Sequence, residues 1–177
     1  DALRRKLGEY DGRSALVVTE SVFSVDGDLA PLRELRAVAR EAGALLLVDD
    51  AHALGVLGAN GSGAVTAAGL AGQPDVIVTA TLSKAVGAAG GVVAGPASLV
   101  RHLVDTGRTF IYDTALPPSV AAGALAGLAL LRDADDLRAT VRGRADQAAR
   151  TLRAAGLDVS TPAAGVVSVT APAAEAA

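Results

Sequence analysis

The sequence predicts an α/β protein with a central, mostly parallel sheet flanked by helices, followed by the start of a small α+β unit. Short, continuous apolar runs alternate with helical segments, which is typical of parallel strands covered on both faces. Hydrophobic residues make up 51% of the 177 residues, enough for a sizeable core. Aromatic residues make up only 2%, so alanine, valine and leucine must fill that core.

The N-terminal part of the sequence predicts a helix, a strand, a helix and a second strand in turn. Residues 2–7 favour a helix, and the apolar run 14–19 favours a short strand. A second helix is predicted over 31–42, because proline suits a first helical turn and Gly43 follows the last apolar position. The continuous apolar run at 44–48 is typical of a strand buried on both faces.

The remaining sequence predicts more strands and then a change of texture. Further strands are predicted at 75–79, 91–94 and 109–112, with a short helix at 98–106. After two prolines, the sequence predicts an apolar helix at 119–131, an amphipathic helix at 135–155, and short strands at 157–159 and 166–170. The amphipathic helix is expected to turn five apolar side chains inward: Leu137, Val141, Ala145, Ala148 and Leu152.

These elements predict two domains. Residues 1–117 are expected to form part of a large ligand-binding domain, and residues 118–177 a connecting helix and the start of a small C-terminal domain. The sequence begins at Asp1 inside a predicted helix and ends soon after a predicted strand. We therefore expect it to be a piece of a longer protein.

Charge and composition exclude several classes of function. The net charge is −3 with both signs interspersed, which argues against a nucleic-acid surface and against a polybasic membrane patch. No apolar run is long enough to cross a membrane. With no cysteine and only two histidines, neither a disulfide framework nor a zinc site is expected. We expect a cytoplasmic protein.

Lysine is nearly absent from this sequence, which makes its placement informative. Fourteen of the sixteen basic residues are arginine, and the only lysines are Lys6 and Lys84. Lys84 is the only charged residue between Asp75 and Arg101, in an apolar, glycine-rich segment. Unlike arginine, a lysine can lose its proton and act as a nucleophilic amine. Lys84 is therefore a candidate for imine formation with a carbonyl compound, although a lysine at a helix end is the ordinary alternative.

Polar residues collect where the predicted strands end. Three such groups follow the first three predicted strands, and a fourth follows residues 109–112: Glu20, Ser21 and Ser24; Asp49, Asp50 and His52; Thr81, Ser83 and Lys84; Asp113 and Thr114. In open α/β sheets, ligands bind outside the carboxyl ends of the strands. Each group also has an ordinary explanation, such as a helix N-cap, a core histidine or a turn.

Taken together, these residues form an inventory that suits one cofactor. Pyridoxal 5'-phosphate (PLP) needs a lysine for its Schiff base, an acid beside its pyridinium nitrogen and an anchor for its phosphate. Lys84, Asp49 and the nearby hydroxyl groups meet these needs.

Four segments in sequence order resemble the α-oxoamine synthases, PLP enzymes that condense an amino acid with an acyl-CoA and release CO2. The segments cover residues 18–32, 48–63, 81–91 and 110–118, and include Asp49-Asp50-Ala51-His52 and Thr81-Leu82-Ser83-Lys84. The resemblance implies the large, PLP-binding domain of an aspartate-aminotransferase-like PLP-dependent transferase. It also implies a homodimer whose active sites are shared between subunits.

The resemblance implies roles for six residues at matching positions. Lys84 would hold the cofactor as an imine and later remove the substrate's α-proton, and Asp49 would keep the pyridine nitrogen protonated. His52 and Ser24 would contact the ring hydroxyl. Thr81 would bind the phosphate, and Thr114 would reach the phosphate of the partner subunit. Asp50 is expected to be structural.

Two segments, 22–28 and 110–114, most resemble the subfamily that joins L-alanine to a pimeloyl thioester of CoA or carrier protein in biotin biosynthesis. The family's ring-stacking residue and substrate-carboxylate arginine have no counterpart in this sequence, so the piece alone is expected to be inactive.

Three alternatives remain open. They are a sibling synthase with other substrates, an aminotransferase of the same fold, and a non-catalytic nucleotide-binding or interaction domain on a doubly wound sheet.

Overall fold

The computed structural model describes residues 1–9 and 14–171, which fold around a four-stranded sheet. Its strands are β1 (Leu16–Glu20), β2 (Leu45–Asp49), β3 (Val76–Thr81) and β4 (Gly91–Ala94), in the spatial order β1-β2-β3-β4. The first three strands run parallel and β4 runs antiparallel to β3. The mostly parallel sheet predicted from the sequence is therefore confirmed.

Five helices lie where the sequence predicts them, whereas α3 (Ala64–Ala67) is not predicted and α5 (Arg108–Ile111) replaces a predicted strand. The main helices are α1 (Ala2–Gly8), α2 (Leu32–Glu41), α3 (Ala64–Ala67), α4 (Ala97–Thr106), α5 (Arg108–Ile111), α6 (Pro118–Arg132) and α7 (Asp135–Ala154). A 3-10 turn spans Ala59–Gly61, and a short antiparallel pair, β5 (Asp158–Val159) and β6 (Val169–Thr170), follows α7.

The core lies on one face of the sheet. Val17, Leu46 and Val48 from β1 and β2 are buried there with Leu32 and Ala39 of α2. The other face carries Leu16 and Val18, which are 50% and 64% exposed. Alternate residues of a strand point to opposite faces, so Glu20, two residues after Val18, shares this second face.

The predicted strand at 109–112 is wrong. Residues Arg108–Ile111 form the single turn α5, in which the Ile111 amide donates to the Gly107 carbonyl at 2.9 Å. The run Thr-Phe-Ile-Tyr has high strand propensity, but that propensity depends on a neighbouring strand and on burial. Phe110 and Tyr112 are 63% and 79% exposed and belong to no sheet, so local helical hydrogen bonds decide the conformation.

The inward face predicted for α7 is also largely wrong. Leu137 and Val141 are 68% and 44% exposed, whereas Arg138 is 3% exposed. Arg138 donates from Nη1 to the Leu131 carbonyl at 2.5 Å, and it pairs with Asp135. An arginine that satisfies these acceptors at the junction with α6 takes a position that hydrophobic periodicity assigns to an apolar residue.

Candidate active site

Polar residues line the edge of the sheet where the three parallel strands end. Glu20 closes β1, Asp49 closes β2, and Thr81 closes β3. In the strand register, Glu20 lies opposite Asp49, and Asp49 lies opposite Thr79. Partnered residues of a parallel sheet point to the same face, so carboxylates and hydroxyls gather on the face opposite the main core.

Lys84 and His52 meet at this edge. The Nζ atom of Lys84 lies 2.8 Å from Nε2 of His52, within hydrogen-bond distance. His52 belongs to a tight turn after β2, in which the amides of Ala53 and Leu54 donate to the Asp50 carbonyl at 3.0 and 2.9 Å. The two residues are thirty-two positions apart in the chain, and the sheet brings them together.

The loop that carries Lys84 is fixed on both sides of the lysine. Leu82 and Val86 are buried and pack with Ala124 of α6. The Leu82 amide donates to the Gly90 carbonyl at 2.9 Å, so the loop continues the pairing of β3 with β4. Apolar anchors on either side therefore leave Lys84 exposed at a defined position.

Thr81 and Ser83 present a pair of hydroxyl groups next to the lysine. Their Oγ1 and Oγ atoms are 2.7 Å apart, and the Ser83 amide donates to Thr81 Oγ1 at 3.2 Å. Adjacent hydroxyl groups are suited to donate to an anionic oxygen.

Glu20 contacts two of the predicted site residues. The Ser24 amide donates to Glu20 Oε2 at 3.0 Å, and the Ser24 hydroxyl donates to Oε1 at 3.3 Å. Glu20 Oε2 also lies 3.6 Å from Nδ1 of His52. Glu20, Ser24, His52 and Lys84 thus form one continuous chain of polar contacts.

The two adjacent aspartates differ in their surroundings. Asp49 is partly buried, and its Oδ1 accepts the Ala51 amide at 2.9 Å. Asp50 is 2% exposed and accepts the Ala64 amide at 3.2 Å. Burial raises the pKa of the Asp50 carboxyl above its ordinary value of 3.8. These contacts agree with the expectation that Asp50 is structural.

Thr114 is the one predicted site residue that the fold does not bring to this cluster. It follows α5 in an exposed segment, and its amide donates to Asp113 Oδ1 at 2.8 Å. Within the described part of the chain, no hydrogen bond joins it to the other five residues.

An apolar cavity of about 570 Å³ lies against β3 and β4 on the core face of the sheet, where Val76, Val78 and Val92 line it. Of the cluster at the strand ends, only Asp50 borders it. Among residues 1–9 and 14–171, no helix is both long and apolar enough to cross a membrane, and no group of acidic and histidine side chains could hold a metal ion.

The chain belongs to the family described as aminotransferase class I and II, which it matches over residues 1–177. It is 52% identical over 169 residues to an 8-amino-7-oxononanoate synthase of Mycolicibacterium smegmatis, covering 96% of this chain and 43% of that protein. The chain thus spans less than half the length of that curated relative.

Solved structures give the same relationship. A serine palmitoyltransferase of S. paucimobilis, with PLP and myriocin bound, has a TM-score of 0.90 at 35% identity and covers 98% of this chain and 45% of its own. An 8-amino-7-oxononanoate synthase of Francisella tularensis has a TM-score of 0.83 at 31% identity, and the match covers 98% of this chain and 51% of the synthase. The resemblance to the α-oxoamine synthases and the predicted large-domain fold are confirmed.

Glu20 is one of the polar residues that follow the first predicted strand, but the sequence alone assigns it no role. Its signal was available, because Glu20 ends a predicted strand as Asp49 does. Its contact with His52 depends on the alignment of β1 with β2, which local sequence does not reveal.

Proposed function

We propose that this chain carries the PLP-binding centre of an α-oxoamine synthase. The complete protein would condense L-alanine with a pimeloyl thioester, of CoA or of a carrier protein, and release CO2 to give 8-amino-7-oxononanoate for biotin biosynthesis. The observation that carries the proposal is the contact of Lys84 with His52 at 2.8 Å, on the sheet edge that also holds Asp49 and Thr81. The 52% identity to the M. smegmatis synthase supports the choice of substrates.

The residues at the strand ends fit the cofactor by their chemistry. PLP, when bound, supplies an aldehyde for an imine and a ring that accepts electrons from the substrate. Lys84 offers an amine, Asp49 a partly buried carboxylate, and Thr81 and Ser83 adjacent hydroxyls. Amine, carboxylate and hydroxyl groups are the three kinds of partner that this cofactor requires.

Each residue has a physical role in the proposed reaction. The Lys84 amine would hold the cofactor, and with substrate bound its Nζ would accept the substrate's α-proton. The Asp49 carboxylate would stabilise a proton on the pyridine nitrogen. His52 Nε2 and the Ser24 hydroxyl would contact the ring hydroxyl, and Thr81 would donate to the phosphate.

Three further proposals concern the homodimer, the domain boundary and the location of the enzyme. Thr114, which lies apart from the cluster within its own chain, would serve the phosphate site of a second subunit in a homodimer with shared active sites. Residues 1–117 would belong to the large PLP-binding domain, and residues 118–177 to the connecting helix and the start of the small domain. We place the enzyme in the cytoplasm.

A second candidate function is another α-oxoamine synthase reaction. The serine palmitoyltransferase of S. paucimobilis, at a TM-score of 0.90, is at least as similar in structure as the F. tularensis synthase. Serine palmitoyltransferase, 2-amino-3-ketobutyrate CoA ligase and 5-aminolevulinate synthase differ in amino acid and acyl chain. An aminotransferase of the same fold would consume alanine without an acyl thioester.

Borohydride trapping tests the cofactor site directly. The complete protein is mixed with PLP, reduced with borohydride and digested, and the modified lysine is located by peptide mass. We expect the label on Lys84 and none on Lys6, an exposed lysine paired with Glu9 that serves as the internal control. Equal labelling of both lysines, or labelling that persists in Lys84→Arg, would contradict the proposed site.

Substrate choice needs a separate assay. The complete protein is given L-alanine with pimeloyl-CoA, and CO2 release is compared with that for L-serine and palmitoyl-CoA. Turnover only with L-alanine and the pimeloyl thioester is expected, whereas CO2 release confined to L-serine would establish the second candidate. Loss of alanine without any thioester would indicate an aminotransferase.

A further inference from the structure

Glu20 occupies a connecting position that the proposed roles leave unexplained. Both of its carboxylate oxygens are used: Oε1 accepts the Ser24 hydroxyl, and Oε2 accepts the Ser24 amide and lies 3.6 Å from His52 Nδ1. Its side chain is 37% exposed, and that of His52 is 23% exposed. The Glu20 carboxylate thus contacts both His52 and Ser24, the two side chains that are proposed to contact the ring hydroxyl of the cofactor.

The contact between Lys84 and Nε2 of His52 determines whether Nδ1 carries the ring proton. A lysine ammonium has three donors and no acceptor, so Nε2 of His52 can meet Lys84 Nζ at 2.8 Å only as an acceptor. In a neutral imidazole the proton then resides on Nδ1, which faces Glu20. An ionised carboxylate accepts from that N–H and opposes the other tautomer, whose Nδ1 lone pair would face its negative charge.

We propose that Glu20 is a positioning residue that keeps the ring proton of His52 on Nδ1 and orients the Ser24 hydroxyl through the same carboxylate. The geometry requires no contact between Glu20 and the cofactor. Glu20 acts on the site only by orienting His52 and Ser24, both of which its carboxylate contacts.

Given the proposed function, this arrangement has a consequence for ligand binding. If Lys84 formed the proposed bond to the cofactor, its ammonium would no longer occupy Nε2 of His52, and this nitrogen would be free to contact a ligand oxygen. The imidazole would keep its orientation, because the Glu20 carboxylate would still accept from Nδ1–H.

The test follows the histidine protons in the cofactor-free protein, where no turnover is needed. The complete protein is labelled with ¹⁵N-histidine, and the protonated ring nitrogen of His52 is identified by its one-bond N–H coupling. The His52→Gln variant identifies the signal. Lys84→Met is the starting background, because it removes the ammonium that would itself hold the proton on Nδ1.

Three variants in that background separate charge from side-chain size. Glu20→Gln keeps the size and can still accept the Ser24 amide, but its amide group can donate to Nδ1. Glu20→Asp keeps the charge. Glu34→Gln removes a carboxylate from the exposed first turn of α2 and serves as the matched control.

We expect the proton on Nδ1 in Lys84→Met, in its Glu34→Gln control and, for the most part, in Glu20→Asp. In Glu20→Gln we expect most of the population to shift to Nε2–H. The same tautomer in Glu20→Gln as in Lys84→Met would overturn the proposal, as would Nε2–H in Lys84→Met itself. If Glu20→Gln does not fold, the proposal depends on Lys84→Met alone, where Nε2–H overturns it.

This outcome is independent of the borohydride result. Label on Lys84 with an unchanged tautomer would remove the role of Glu20 and leave the proposed function standing. A changed tautomer without label on Lys84 would support the role of Glu20 and contradict the proposed function.

Discussion

Arg36 holds Asp75 through two parallel hydrogen bonds: Nε donates to Oδ2 at 3.1 Å, and Nη2 donates to Oδ1 at 2.9 Å. Their side chains are 17% and 19% exposed. Arg36 lies on α2, and Asp75 directly precedes β3, so the pair joins the helix to the sheet. The hydrogen bonds from Arg36 hold the pKa of the Asp75 carboxyl below its ordinary value of 3.8.

Asp75→Asn should reduce stability at neutral pH by about 1–3 kcal/mol, because a charge-assisted pair is weakened. A carboxyl whose pKa is lowered on folding stabilises the fold above its unfolded pKa, and that stabilisation is lost as the pH falls through the folded pKa. The difference from the unmodified protein should therefore shrink below about pH 3.8. Urea unfolding at several pH values measures it. Asp146→Asn, at an exposed position on α7, is the control, and an equal effect there would contradict the prediction.

Gly63→Ala should destabilise the protein more than Gly72→Ala. Both glycines have positive φ, +91° and +74°, so alanine strains both by about 1–2 kcal/mol. Only at Gly63 would the added Cβ collide with the Oδ2 atom of buried Asp50, whereas nothing lies within 4 Å at Gly72. Displacing Asp50 should cost about a further 1–3 kcal/mol. Thermal unfolding of the two variants compares them, and equal losses would refute the predicted collision.

Gly127→Ala should disturb the lysine loop. A Cβ at residue 127 of α6 would clash with the carbonyl oxygen of Val86, and it would lie 3.1 Å from the Cγ1 atom of that valine. The cost should be about 1–3 kcal/mol, and the yield of borohydride label on Lys84 should fall. Gly123→Ala, four residues earlier with nothing within 4 Å, should instead gain up to about 1 kcal/mol from helix propensity. The prediction fails if both variants are stabilised alike.

Asp49→Asn should lower turnover of the complete protein far more than it lowers cofactor content. An amide does not stabilise a proton on the pyridine nitrogen as a carboxylate does, so a loss of about 10²-fold or more is expected. Steady-state rates and cofactor absorbance on the same preparation separate the two effects. Near-normal turnover would show that Asp49 has another role.

The parallel part of the fold follows from sequence because its strands are continuous apolar runs. The runs at 44–48 and 75–79 lie within one or two residues of β2 and β3. Residues 108–111 form a helix because strand propensity without a partner strand does not decide a conformation. Leu137 and Val141 are exposed because Arg138 takes the inward position through specific hydrogen bonds, which periodicity does not detect.

Some residues of the candidate site can be recognised from the sequence, whereas their contacts require the fold. Lys84 and Asp49 are recognisable because their residue types are unusual for their local surroundings. The contact between Glu20 and His52 joins two strand ends, and it requires the register of the sheet.

The hairpin that carries Lys84 has both arms in the sheet, and it is fastened by Leu82 and Val86. In the proposed reaction, substrate would displace the lysine. Because these anchors hold the backbone, the amine would move only as far as its own four methylene groups allow. A base on such a short tether reacts as though present at very high local concentration, up to about 10⁵–10⁸ M for well-aligned groups. The apolar anchors of this loop would thereby contribute to the rate of proton removal without touching the substrate.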